Sequence, residues 1–432
     1  VLFVIELAGI SGNIISVMRR TVLDNGIVVL SAENLAADII SAKIFVRAGS
    51  SCENREKAGL AHLLSSVMTK GCEGLSSLEI AEKVESIGAS LSTDAVTDYF
   101  VLSVKTITSD FTEIFTLAGQ ILRSPTFPEA QIELERRLTL QDIRSQKEHP
   151  FSLAFEQMRQ AMYQEHPYAM SILGNETTVG NITREDLQQF HKTYFRPDNI
   201  VISVAGRITT EAVLELIAKT FGDWEAADST LPVLNLPEIP IAPKHCRKPL
   251  STQQSIVMLG YMGPAVGAPE FAALKLISTY LGNGLSSRLF VELREKRGLA
   301  YEVSAIYSTR LFPASFIVYM GTASENTSIA IQGLYQEVEL LRNEELSEKA
   351  LQTAKNKILG QYALGRQTNG QIAQLYGWYE ILGLGIGFSE LFPQLISQVS
   401  SQDVITAARR YLKDPYLSLV GPEEIINVAS LD

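Results

Sequence analysis

A chain of 432 residues is too long for one ordinary domain, so two or more are expected. Its 46% hydrophobic and 20% charged content belongs to a folded globular protein with ample core and excludes a disordered one. A net charge of −11 argues against a nucleic-acid partner, since phosphates demand a basic footprint, and is compatible with basic peptide partners.

Residues 1–15 are largely apolar but carry Glu6, with neither a basic start nor a clear cleavage site, which makes a poor secretory signal. No run approaches the length of a membrane-spanning helix, so no membrane span is expected. Residues 39–48 read as an apolar strand, followed by a helix holding Ala58-Gly59-Leu60-Ala61-His62-Leu63-Leu64-Ser65-Ser66. A zinc hydrolase built on an H-x-x-E-H helix needs two His four residues apart on one helical face, with a Glu between them as general base. Here His62 holds the first place, but Ser65 stands where the base would be and Ser66 where the second ligand would be. Two hydroxyls replace neither group.

Further along, Gly88-Ala89-Ser90-Leu91 leads into strand-like sequence, residues 99–106 read as a strand and 110–123 as an amphipathic helix. A long helix over 129–147 closes at His149-Pro150. From Asp223 the chain is punctuated by Pro232, Pro237, Pro240, Pro243 and Pro249, which disfavours both helix and central strand and reads as a connection. Beyond it the pattern repeats. A strand over 254–261 precedes a helix over 269–281, then Gly298-Leu299-Ala300-Tyr301 leads into strand-like sequence. A strand over 315–321 and helices over 326–342 and 347–360 follow. The two halves keep an offset of about 210–216 residues, an internal duplication. The expected fold is α+β: two homologous domains, each a mostly antiparallel sheet packed with helices. The boundaries are an N-terminal domain over 1–225, a Pro-rich linker over 226–252 and a C-terminal domain over 253–432.

Cys52, Cys72 and Cys246 are odd in number and widely spaced, forming neither a metal clip nor a disulfide framework, and are expected to be reduced. The remaining histidines do not rebuild a metal site: His149 and His166 precede Pro and read as loop residues, His191 lies in an amphipathic helix and His245 in the linker. A Ser–His pair made from His62 with Ser65 or Ser66 lacks an orienting third group and an oxyanion loop, so helix packing is the better account. Leu281-Gly282-Asn283-Gly284-Leu285 lacks the Lys-Ser/Thr of a phosphate loop and suits a helix-terminating turn.

Taken in order, Thr21-Val22-Leu23-Asp24-Asn25-Gly26, Ala58-Gly59-Leu60-Ala61-His62-Leu63-Leu64, Phe127-Pro128, His166-Pro167-Tyr168, Leu173-Gly174 and Tyr194-Phe195-Arg196-Pro197-Asp198-Asn199 carry a resemblance. Ser286-Ser287-Arg288-Leu289-Phe290 running into Leu293-Arg294-Glu295-Lys296-Arg297-Gly298-Leu299-Ala300-Tyr301 completes it. Over about residues 20–417 the chain resembles the pitrilysin/insulinase-type metallopeptidases, in the short-chain branch related to mitochondrial processing peptidases. In active members the third zinc ligand is a Glu, and the matching count from Ser66 reaches Asp142. Glu135 matches another glutamate of the family and reads as structural or vestigial.

Arg294 and Tyr301 match the Arg/Tyr pair that the family sets opposite the zinc to bind substrate near the scissile carbonyl. By composition alone Arg294 is one charge in an Arg/Glu/Lys cluster; the resemblance gives it a role. Non-catalytic processing-peptidase subunits carry a glycine-rich substrate-recognition loop, against which the Gly282–Gly284 run is short, with only two glycines.

The resemblance implies a non-catalytic, substrate-binding subunit of a heterodimeric zinc peptidase. No cofactor is expected in this chain. Zinc and an intact H-x-x-E-H motif would sit on a homologous partner, and the substrates would be peptides or unfolded segments. The alternatives are an inert structural subunit and a standalone peptide-binding homodimer. The expected setting is the bacterial cytoplasm, with the periplasm and an organelle as the other compartments to weigh.

Overall fold

A computed structural model describes residues 17–226, 229–234, 236–427 and 429. The apolar stretch over 1–15 lies outside the described residues.

Two sheets organise the chain. The first runs in the order Arg19–Val22, Val28–Glu33, Ile200–Gly206, Ile40–Val46, Phe100–Thr106, Ser90–Ala95. The second runs in the order Glu302–Tyr307, Ala314–Ala323, Gln254–Gly263, Tyr416–Gly421, His245–Pro249. Apart from the extra edge strand Arg19–Val22, the two orders are the same when read from opposite ends. Each sheet has one parallel pair, Val28–Glu33 with Ile200–Gly206 and His245–Pro249 with Tyr416–Gly421, and is otherwise antiparallel. The fold is therefore α+β with a duplicated sheet. The duplication read from sequence spacing is visible as repeated topology.

Central strands are apolar on both faces because helices cover both. All seven residues of Ile200–Gly206 are buried, as are nine of the ten in Gln254–Gly263. On one face the cover comes from an unexpected part of the chain. The two compact units are discontinuous: one comprises the described residues of 17–141, 171–234 and 363–389, the other those of 142–170, 236–362 and 390–429. Each sequential half, cut at 225 and 253, thus contributes a segment to the unit built on the other half's sheet.

In the first unit the helix Asn369–Ile381 places Ile372, Ala373 and Ile381 among Leu30, Phe45, Val101 and Val201. A Cβ added at Gly377 would stand 2.2 Å from Phe45 Cε2, so only glycine lets helix and strand come this close. Asn369 pins the helix start by donating to the Ile39 carbonyl at 2.8 Å. In the second unit the helix Pro150–Tyr163 places Leu153, Ala154, Met158 and Met162 among Ile256, Met258, Ile317 and Tyr416. Ser418 donates to the Ala154 carbonyl at 2.9 Å, and the Tyr163 hydroxyl accepts from the Ser315 N–H at 2.8 Å.

Two local readings change. The helix Glu129–Glu148 does close at His149, but Pro150 takes the first position of a further helix, where its missing N–H costs nothing. The Pro-rich connection is not irregular throughout: residues His245–Pro249 form an edge strand, a place where proline is tolerated because one side needs no ladder donors. Among the described residues no helix is long and apolar enough to cross a membrane.

Candidate functional site

His62, Ser65 and Ser66 lie on the helix Leu60–Met68, whose Leu60, Ala61, Leu63, Leu64, Val67 and Met68 are buried. The helix starts on a buried carboxyl group. Glu53, 7% exposed, accepts the Gly59 N–H at 2.9 Å and the Ala61 N–H at 2.6 Å, satisfying two amide groups that no helical carbonyl can reach. Burial pushes its carboxyl up to about 8, outweighing the two N–H bonds that favour the charged form. Nothing in the linear pattern marks Glu53. The turn at 50–57 brings it to the helix start.

The two hydroxyls are spent locally. Ser65 Oγ donates to the His62 carbonyl at 2.8 Å and Ser66 Oγ donates to the same oxygen at 3.1 Å. The carbonyl of Ser65 in turn accepts from Thr93 Oγ1 at 2.7 Å, which ties the helix to the edge strand Ser90–Ala95. Asp142 is exposed on Glu129–Glu148, and Glu135, two turns earlier, pairs with Lys70 at 3.1 Å. A zinc ion needs nitrogen, thiolate or carboxylate donors converging on one point. One imidazole beside two hydroxyls that both donate back into the helix does not fit that requirement. Among the described residues no three His, Cys, Asp or Glu side chains group to hold a metal.

His166 lies in a loop, as its place before Pro167 suggests, but in a buried one. It is 1% exposed and begins the short turn Pro167–Ala169. Its Nδ1 accepts the Tyr168 N–H at 3.1 Å, and its ring packs edge-on against Tyr168 and Phe312, with centroids 4.6 and 5.6 Å away. Desolvation brings its pKa down to about 4. His191 lies in the helix Arg184–Tyr194 with Nε2 2.8 Å from the Leu122 carbonyl, and burial lowers its pKa too. His149 marks the joint between two helices, and His245 is exposed on the edge strand.

Arg294 and Tyr301 belong to the second unit and flank one turn. Arg294 lies in a π-helix, Phe290–Lys296. The segment ends at Gly298, whose φ of 65° permits two closing bonds: Leu299 N–H to the Leu293 carbonyl at 2.9 Å and Gly298 N–H to the Arg294 carbonyl at 3.0 Å. Tyr301 then joins the sheet through its N–H to the Gly321 carbonyl at 2.9 Å. Tyr301 is 58% exposed. Of the cations around Arg294, Arg288 and Arg297 are engaged by Glu337 and Lys296 by Glu292. Arg294 is exposed and lies over the Phe290 ring at 4.9 Å, and among the described residues it makes no ion pair. Nearby, the helix Phe271–Gly282 ends at Asn283, which donates to Gln361 at 2.8 Å before Gly284 takes a φ of 80°. The Gly282–Gly284 run is a helix-terminating turn.

The family model described as Insulinase (Peptidase family M16) matches residues 28–176, and that described as Peptidase M16 inactive domain matches residues 181–358. The chain is 25% identical over 409 residues to an uncharacterized zinc protease of Bacillus subtilis (strain 168), covering 94% of this chain and 98% of the relative. It is 25% identical over 408 residues to an uncharacterized zinc protease of Mycobacterium bovis (strain ATCC BAA-935 / AF2122/97), covering 94% and 93%. Among solved structures, a protease from Helicobacter pylori aligns with a TM-score of 0.89 at 22% identity, covering 94% of this chain and 100% of that one. A peptidase M16 inactive domain from Pseudomonas fluorescens aligns with a TM-score of 0.86 at 24% identity, covering 96% and 99%. At these identities the structural likeness shows the fold.

Proposed function

The chain belongs to the insulinase-type M16 peptidase family, and we propose that it serves there as the non-catalytic, substrate-binding subunit of a heterodimeric zinc peptidase. What supports this most is a contrast between its two groups of family residues. The Ser65 and Ser66 hydroxyls are turned back on their own helix, whereas the Arg294 guanidinium and the Tyr301 side chain are exposed. A guanidinium and a phenol are donors suited to hold a peptide carbonyl or to stabilise charge developing on it. An inert scaffold would have no use for them.

Hydrolysis belongs in this reading to a homologous partner with an intact H-x-x-E-H motif, which must bring the zinc and the general base. This chain contributes recognition. Among the described residues Ser90–Ala95 pairs with a strand on one side only, so its other edge offers main-chain donors and acceptors to an extended segment. Peptides and unfolded segments are the substrates such an edge accepts, because an extended segment carries main-chain donors and acceptors not engaged in a sheet of its own.

The test is purification from the native host, asking whether an H-x-x-E-H relative accompanies the chain, followed by cleavage assays on the reconstituted pair. Arg294→Ala or Tyr301→Phe should lower turnover by roughly one to three powers of ten. If both variants behave as wild type, or if the chain alone cleaves peptides and loses that activity to a chelator, the proposal is wrong.

A further inference from the structure

A π-helix is a less stable winding than an α-helix and persists where its surroundings hold it. The π segment carrying Arg294 is held by one face of the helix Thr327–Asn343. Gly333 and Glu337 stand one turn apart on that face. At Gly333 the absence of a side chain makes room for Leu293: an added Cβ would stand 2.9 Å from Leu293 Cδ2 and 3.6 Å from an Arg297 Nη atom. Glu337 is 3% exposed and reaches two arginines. Its Oε2 accepts from Arg288 Nε at 2.7 Å, and its Oε1 faces Arg297 Nη2 at 3.9 Å.

A carboxylate this buried is costly unless its charge is matched, and the two guanidinium groups supply the match. Burial works against the charge on Arg288, but the hydrogen bond and charge of Glu337 prevail and raise its pKa. In sequence these arginines bracket Arg294, one before the π segment and one just after it. Glu337 therefore holds both ends of the arc from which Arg294 projects, while Arg294 is left out of the network. That is how one arginine among several can be kept available.

We propose that Glu337 is a positioning residue for Arg294, fixing the π segment through Arg288 and Arg297 so that the Arg294 guanidinium is presented to the peptide. This rests on the reading of Arg294 as a substrate-binding donor. A residue that acts only through Arg294 has a signature that general destabilisation lacks: once Arg294 is removed, removing it costs nothing more.

The experiment uses the full chain reconstituted with its H-x-x-E-H relative and fluorescein-labelled casein as the unfolded substrate. Glu337→Gln should lower kcat/KM about tenfold, Glu337→Asp should recover part of the loss, and Glu337→Gln with Arg294→Ala should match Arg294→Ala alone within about twofold. Arg288→Gln removes the same hydrogen bond from the more exposed partner and should behave like Glu337→Gln, which covers the case that the Glu337 variant does not fold. If Glu337→Gln and Arg288→Gln both match wild type, or if their losses multiply with that of Arg294→Ala, the positioning role is overturned while the substrate-binding reading stands. If the wild-type pair does not cleave casein, or Arg294→Ala leaves cleavage unchanged, both fall.

Discussion

Glu53 makes the fold's dependence on pH calculable. A carboxyl whose folded pKa is about 8, against an ordinary 4.5, binds its proton more tightly in the native state than in the unfolded one. Below about pH 4.5 it is protonated in both states and contributes no slope. As pH rises from about 4.5 to 8 the unfolded chain ionises freely and the folded one does not, so stability falls across that window. The gap corresponds to a ceiling of about 5 kcal/mol, since local opening at the helix start lets water in and relieves part of it.

Glu53→Gln removes the titration but turns one amide N–H₂ toward the donors of Gly59 and Ala61, leaving one of them unsatisfied at a cost of about 1–3 kcal/mol. At pH 5 the variant should therefore be the less stable protein, and by pH 8 the order should be equal or reversed. Both tryptophans, Trp224 and Trp378, belong to the same compact unit as Glu53. Urea unfolding followed by tryptophan fluorescence thus reports on the right part of the molecule. Stability curves that stay parallel for the two proteins between pH 5 and pH 8 would refute the reasoning.

His166 should act in the opposite sense. Its pKa is lowered to about 4, so its contribution is complete above about pH 6.5 and is lost as pH falls toward 4; His166→Gln should flatten the acid limb of a circular-dichroism unfolding curve, and an unchanged limb would clear His166 of that role. Restoring the motif with Ser65→Glu and Ser66→His should not give stoichiometric zinc in this chain alone, because the third donor is the shorter and exposed Asp142; tight zinc by metal analysis would contradict this. Gly377→Leu should destabilise the first unit by several kcal/mol through its collision with Phe45, whereas Gly383→Ala, where an added Cβ meets nothing but φ is 73°, should cost about 1 kcal/mol; similar denaturation midpoints for the two variants would count against the packing argument.

Much of the architecture was legible because local periodicity and packing agree. Residues 39–48 read as a strand and the fold has Ile40–Val46; residues 129–147 read as a helix and the fold has Glu129–Glu148. The repeated sheet order was announced by the sequence offset. Periodicity says that a helix has a buried face, not which sheet buries it, so the crossed placement of Pro150–Tyr163 and Asn369–Ile381 was not readable. The loss of donors at Ser65 and Ser66 was plain from residue type alone. Where their hydroxyls turn was not, nor that Glu53 and Glu337, two unremarkable acidic residues in sequence, become buried anchors for the helix of His62 and the turn of Arg294.

The reciprocal lending of segments sets the order in which this protein can be finished during synthesis. Its first sheet is complete once residue 206 has been made, yet the helix that covers one face of that sheet is translated some 160 residues later. Until then a surface that includes Phe45 and Val201 waits without its native cover, the kind of interval in which nascent chains depend on chaperones. The same arrangement limits how the gene can be rearranged. A recombination event that separates the two sequence repeats delivers each of them without a helix it needs, so they can be inherited only as a pair.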